Sequence, residues 1–61
     1  MAQITSKELT ALGDLMTEEN VLAAKYRACA TNTQDSTLKN CYTQMAQLHQ
    51  RHFDELFSDL K

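Results

Sequence analysis

The sequence has no proline, no tryptophan and a single glycine, Gly13. Without proline there is no fixed-φ residue to stop or kink a helix, and the abundant Ala, Leu, Gln, Glu, Lys and Met are the better helix formers. No apolar run approaches the ~18–20 residues of a membrane-spanning helix. The opening Met1-Ala2-Gln3-Ile4-Thr5-Ser6-Lys7-Glu8 also lacks the apolar core of a secretory signal. The expectation is a protein synthesised in the cytoplasm that crosses no membrane and reaches its place without the secretory route. A basic patch is missing too. Lys7, Lys25, Arg27, Lys39, Arg51 and Lys61 lie scattered, and the formal net charge is −2. No clustered face is available to displace counterions from nucleic-acid phosphates or to rest on an anionic membrane, so neither partner is expected.

Cysteine is sparse, at Cys29 and Cys41. In a reducing compartment a disulfide between them is disfavoured, and free thiols packed as small apolar side chains are expected. Both lie two to three helical turns from the histidines, toward the expected bend, which excludes a Cys–His nucleophile pair. There is no Gly-rich phosphate loop and no nucleophile elbow. No enzyme is expected. Single charges such as Asp14, Lys25, Arg27, Asp54 and Glu55 read as solvated surface.

What is present is helix, and the chain's 61 residues form one small domain. Thr5-Ser6-Lys7-Glu8 has the form of a capping box, in which the threonine accepts from a free backbone N–H and the glutamate reaches back. A helix is predicted from there over about 6–30. The polar run Thr31-Asn32-Thr33-Gln34-Asp35 forms the turn, and Asp35 caps a second helix over about 36–59. Each helix of roughly 24 residues is about 36 Å long, and so short a turn permits only an antiparallel neighbour. Gly13 falls inside the first helix, as either a tolerated surface glycine or a point of close helix approach. Asp54, Glu55 and Asp59 sit unfavourably near a helix C-terminus, where Lys7 and the N-terminus of the first helix come beside them.

Apolar residues mark one stripe on each helix. The first carries Leu12, Leu15, Leu22, Tyr26 and Cys29, widened by Leu9, Met16 and Ala23. The second carries Leu38, Tyr42, Met45, Leu56 and Leu60, widened by Cys41, Leu48, Phe53 and Phe57. A lone hairpin has no second layer to cover stripes this wide, whereas two hairpins can form a four-helix bundle. A homodimer is therefore expected, with Leu12, Leu15, Leu22, Tyr26, Tyr42, Met45 and Leu56 as interface residues.

Three polar residues interrupt the stripes: Glu19, His49 and His52. Folding the chain about residues 33 and 34 sets Leu22 against Met45 and Tyr26 against Cys41 or Tyr42. Glu19 then comes level with Leu48 and His49, and His52 lies one turn beyond, near Leu15. All three interruptions thus share one layer. A carboxylate and two imidazoles facing inward must be paired, because an unpaired buried charge is costly. One reading is a hydrogen-bonded network that fixes register. The other is a metal site for zinc or iron, since these side chains bring nitrogen and oxygen donors to one point.

The run Lys7-Glu8-Leu9, Leu12, Asp14-Leu15, Glu18-Glu19, Lys25-Tyr26 and Ala30, followed by Asp35, Leu38 and His49-Gln50-Arg51-His52-Phe53, resembles the spore coat protein F family of endospore-forming bacteria. The likeness spans about residues 5 to 60. It implies a ferritin-like helical hairpin and a structural role in the spore coat, alongside other coat proteins, without handing over an activity. Gln47 and Leu48 stand where members of the family often carry acidic residues. Ferritin-like di-iron proteins use a Glu-x-x-His pair. Here Ala46 precedes His49 by three residues and His49 precedes His52, which speaks against di-iron chemistry.

Overall fold

The computed structural model describes residues 4–60, which form two α-helices, α1 (Ser6–Asn32) and α2 (Ser36–Ser58), joined by residues 33–35. Residues 1–3 and Lys61, one of the scattered basic residues, lie outside the described part. The start of α1 is the capping box read from the sequence. Glu8 N–H donates to Thr5 Oγ1 at 3.1 Å, and Thr5 N–H donates to Glu8 Oε1 at 3.1 Å. These bonds hold the Glu8 carboxyl below its ordinary range, with the backbone bond from Thr5 the larger cause.

The helix runs through Thr31 and Asn32, two residues past its expected end. Thr31 Oγ–H donates to Arg27 O at 3.0 Å, one turn back, so its polar side chain is satisfied without leaving the helix. Thr33 then turns extended, its N–H closing on Cys29 O at 3.0 Å. Its hydroxyl accepts from Asp35 N–H at 3.2 Å. Asp35 Oδ1 accepts from Leu38 N–H at 2.9 Å, capping α2 as expected. Such a short link returns the chain antiparallel, and the two helices pack along their length. No helix among the described residues is long and apolar enough to cross a membrane.

The packing corrects the stripe expected on α1. Among the described residues only Ala23 and Ala46 are buried, at 0% and 4% exposure. Half-buried residues on α1 are Leu12, Met16, Glu19, Tyr26 and Ala30; Leu15, Leu22 and Cys29 are exposed. The seam is therefore rotated toward Met16 and Ala23, which had read as flanking positions. Small side chains at Ala23 and Ala46 let two helices approach closely, and a leucine at the centre would hold them apart. The larger Leu15 and Leu22 are left on the flank, at 50% and 37% exposure. On α2 the middle of the seam is as read, with Tyr42, Met45, His49, His52 and Leu56 half-buried beside the flanking Leu48 and Phe53. Its ends Leu38 and Leu60 are exposed, as are Cys41 and Phe57, and the buried Ala46 had read as part of neither stripe. Cys29 and Cys41 are free, but they are exposed and not packed.

Gly13 is a surface glycine, since a Cβ built on it meets nothing within 4 Å. No ion pair joins Lys7 to Asp54, Glu55 or Asp59 among the described residues, so the acidic end of α2 is not offset in that way. Arg27 and Asp54 are exposed as expected, yet they are connected. Arg27 Nη2 donates to Gln50 Oε1 at 2.7 Å, and Gln50 Nε2 donates to Asp54 Oδ1 at 3.1 Å.

Candidate functional site

A glutamate on α1 faces a histidine pair on α2 spaced one turn apart, three residues along the helix, so both imidazoles project toward the same place. The structure brings Glu19, His49 and His52 together there. His49 Nδ1–H donates to Glu19 Oε1 at 2.7 Å, and His52 Nδ1–H donates to Oε2 at 2.8 Å. An ionised carboxylate only accepts, which places a proton on each facing Nδ1. The hydrogen bond from His49 is the main cause holding the Glu19 carboxyl below its ordinary range. Partial burial opposes it, and the hydrogen bond from His52 and the charge of both imidazoles add to the lowering. The Glu19 and His49 side chains are 16% and 15% exposed, and that of His52 is 42% exposed.

Aromatic packing fixes one side of this cluster. The rings of Tyr26 and His49 are stacked, and Tyr26 also meets Tyr42, with centroids 6.2 Å apart. His52 stands edge-on to His49 at 5.8 Å. The meeting of Tyr26 with Tyr42 follows from the fold-back register, but the stack on His49 was not foreseen. Its signal is present in the sequence, because Glu19 to Tyr26 and Tyr42 to His49 are each a two-turn step. Each pair therefore lies on one stripe of its helix.

The other side of the cluster opens. Glu19 and His52 wall a groove of about 450 Å³ between the helices, shared with Leu15, Glu18, Leu22, Glu55, Leu56 and Asp59. Three more carboxylates thus stand around the same opening as the cluster. The groove on the opposite side of the hairpin is lined by Ala30 and Ala46 together with the basic Arg27 and Lys39 and the uncharged Thr31, Thr43, Gln47 and Gln50.

No protein-family model matches the chain, and neither a curated protein nor a solved structure does. Functional inference therefore rests on the residues themselves. Of the expected site residues, Glu19, His49 and His52 meet at one point. Tyr26 and Tyr42 join the aromatic wall beside them. Leu15, Leu22 and Leu56 line the acidic groove, while Leu12 and Met45 are half-buried in the seam.

Proposed function

We propose that this chain is a structural assembly element, a hairpin that pairs with a second copy into a ferritin-like four-helix bundle. The observation that carries the proposal is the mismatch between what the hairpin buries and what it leaves exposed. Two alanines are the only buried residues among those described, whereas Leu9, Leu15, Val21, Leu22, Leu38 and Phe57 are each at least 37% exposed. The shape agrees. The Cα radius of gyration is 14.4 Å, against about 10.5 Å for a compact domain of this length. The accessible surface is 4743 Å², against about 4000 Å² for a compact monomer of this mass. The excess, roughly 700 Å², is close to the ~800 Å² that each partner contributes to a standard interface.

Leu15, Leu22 and Cys29 follow one another at two-turn steps on α1, and Leu56 shares the groove lined by Leu15 and Leu22. A second copy laid on this side covers Leu15, Leu22 and Leu56. Burying a half-exposed leucine is worth about 1 kcal/mol. Sedimentation equilibrium at micromolar concentration is expected to return twice the 6.9 kDa chain mass. Leu15→Lys with Leu22→Lys should abolish the dimer. Val21→Lys, on the far side of α1, should not. A folded, unassociated parent chain sinks the proposal.

The place of assembly is proposed from the likeness to the spore coat protein F family, with other coat proteins as further partners. No catalytic activity forms part of this reading. Immunoblotting of coat and core fractions from purified spores tests it, and finding the protein only outside the coat ends this part of the proposal.

A further inference from the structure

The geometry points to Glu19, His49 and His52 as a three-ligand site for a divalent transition metal ion of the zinc class, with its fourth coordination position on the acidic groove. One ligand atom from each residue lies within 4.8 Å of the other two. Tetrahedral zinc at about 2.0–2.1 Å from each donor sets donors roughly 3.3 Å apart. The two Nδ1–Oε distances, 2.7 and 2.8 Å, need to open by only about half an ångström to admit the ion. Each imidazole bonds a different oxygen of Glu19, and the three donor atoms, which lie within 4.8 Å of one another, close onto one ion as the side chains rotate.

The donor set decides the class of ion. Two imidazole nitrogens and one carboxylate oxygen suit zinc, cobalt(II) or iron(II). Magnesium and calcium take shells made of oxygen. Each neutral imidazole moves its proton from Nδ1 to Nε2 through solvent, which frees the Nδ1 lone pair for the ion. An imidazolium instead releases one proton to water. One Glu19 carboxylate leaves a divalent ion with an excess positive charge, and Glu18, Glu55 and Asp59 around the groove offset it. The Tyr26 stack holds His49 in its plane, as outer groups commonly orient metal-binding histidines. An open fourth position beside three carboxylates admits water or another small ligand.

The three ligands come from one hairpin, so the site does not require a second copy, although a copy laid over Leu15 and Leu22 would cover the groove onto which the fourth position opens. Its test uses the full-length protein without a histidine tag, stripped with chelator and titrated with zinc by calorimetry, alongside thermal unfolding. Stoichiometric binding and a raised Tm are expected with zinc, and no rise with magnesium. His49→Gln, His52→Gln and Glu19→Gln should each weaken binding at least about tenfold, while Cys29→Ser with Cys41→Ser leaves it unchanged. Circular dichroism reports whether each variant is folded. If the histidine variants do not fold, cobalt(II) bound to the parent chain decides. A tetrahedral visible spectrum without thiolate charge-transfer bands supports the site, and thiolate bands or an octahedral spectrum overturns it. No zinc binding by the parent, binding that survives loss of either histidine, or binding that follows the cysteines overturns it equally.

Discussion

The ring of Tyr26 lies flat against the imidazole of His49, with centroids 5.6 Å apart and planes inclined by only 4°. A tyrosine on one helix thus fixes the plane of a histidine on the other, and that histidine in turn holds Glu19. Aromatic pairs of this kind contribute about 0.5–1.5 kcal/mol beyond the area they bury. Tyr26→Leu is expected to lower unfolding free energy by about 1 kcal/mol and to move the His49 ring resonances. Tyr26→Phe keeps the stack and should do neither. Equal effects from the two substitutions in NMR and thermal unfolding would count against the stack.

Glu19 serves two donors at once, so removing it alone is worse than removing the whole cluster. Glu19→Leu leaves two imidazole N–H groups in a half-buried layer without their acceptor, which is costly. Replacing Glu19, His49 and His52 together by leucine removes the stranded donors with it, and such apolar replacement is often neutral or stabilising. In chelator, the single variant should melt below the parent and the triple variant above the single. The reverse order would show that the carboxylate's hydrogen bonds contribute little.

Gly13→Ala should stabilise the protein. The position is helical, and an added methyl group meets nothing within 4 Å, so the gain is the helix propensity difference, about 1 kcal/mol. Thermal or urea unfolding checks this. A destabilised variant would mean that another surface lies against Gly13 in solution.

Acid should weaken the hairpin through its depressed carboxyls. Glu8 is held below its ordinary value of 4.5 by the cap it forms with Thr5, and Glu19 below the same value chiefly by His49. A group with a lowered folded pKa binds its proton more readily when unfolded. Its contribution is therefore full above 4.5 and is lost as the pH falls through the lower folded value. Urea unfolding in chelator should show stability falling with pH below 4.5. Glu8→Gln, which keeps a capping group that does not titrate, should make that fall shallower. An unchanged slope would show that the cap is already open in solution.

Local chemistry carried most of the fold. The capping box at Thr5 and Glu8 and the cap at Asp35 were legible because each is a contact between near neighbours in sequence. The meeting of Glu19 with both histidines was legible because a short bend leaves little freedom of register. The rotation of α1 was not. Hydrophobic size marked Leu15 and Leu22 as seam, but the closeness of two helices is set by their smallest facing residues, Ala23 and Ala46. Sequence periodicity gives the direction of a stripe to within a fraction of a turn, and Met16 and Leu15 differ by little more than that. The bond from Arg27 to Gln50 was hidden for a related reason. Arg27 read as solvated, and only the helix rotation sets it against Gln50.

The three-residue link has a further consequence for the whole object. Because it reverses the chain at one pole of a body 47 Å long, the first and last described residues both leave from the opposite pole. A fluorophore or fusion partner joined at either terminus would therefore project from that pole, clear of the bend. The hairpin behaves as a peg with a closed tip and a double-stemmed base, and its two poles can be addressed separately.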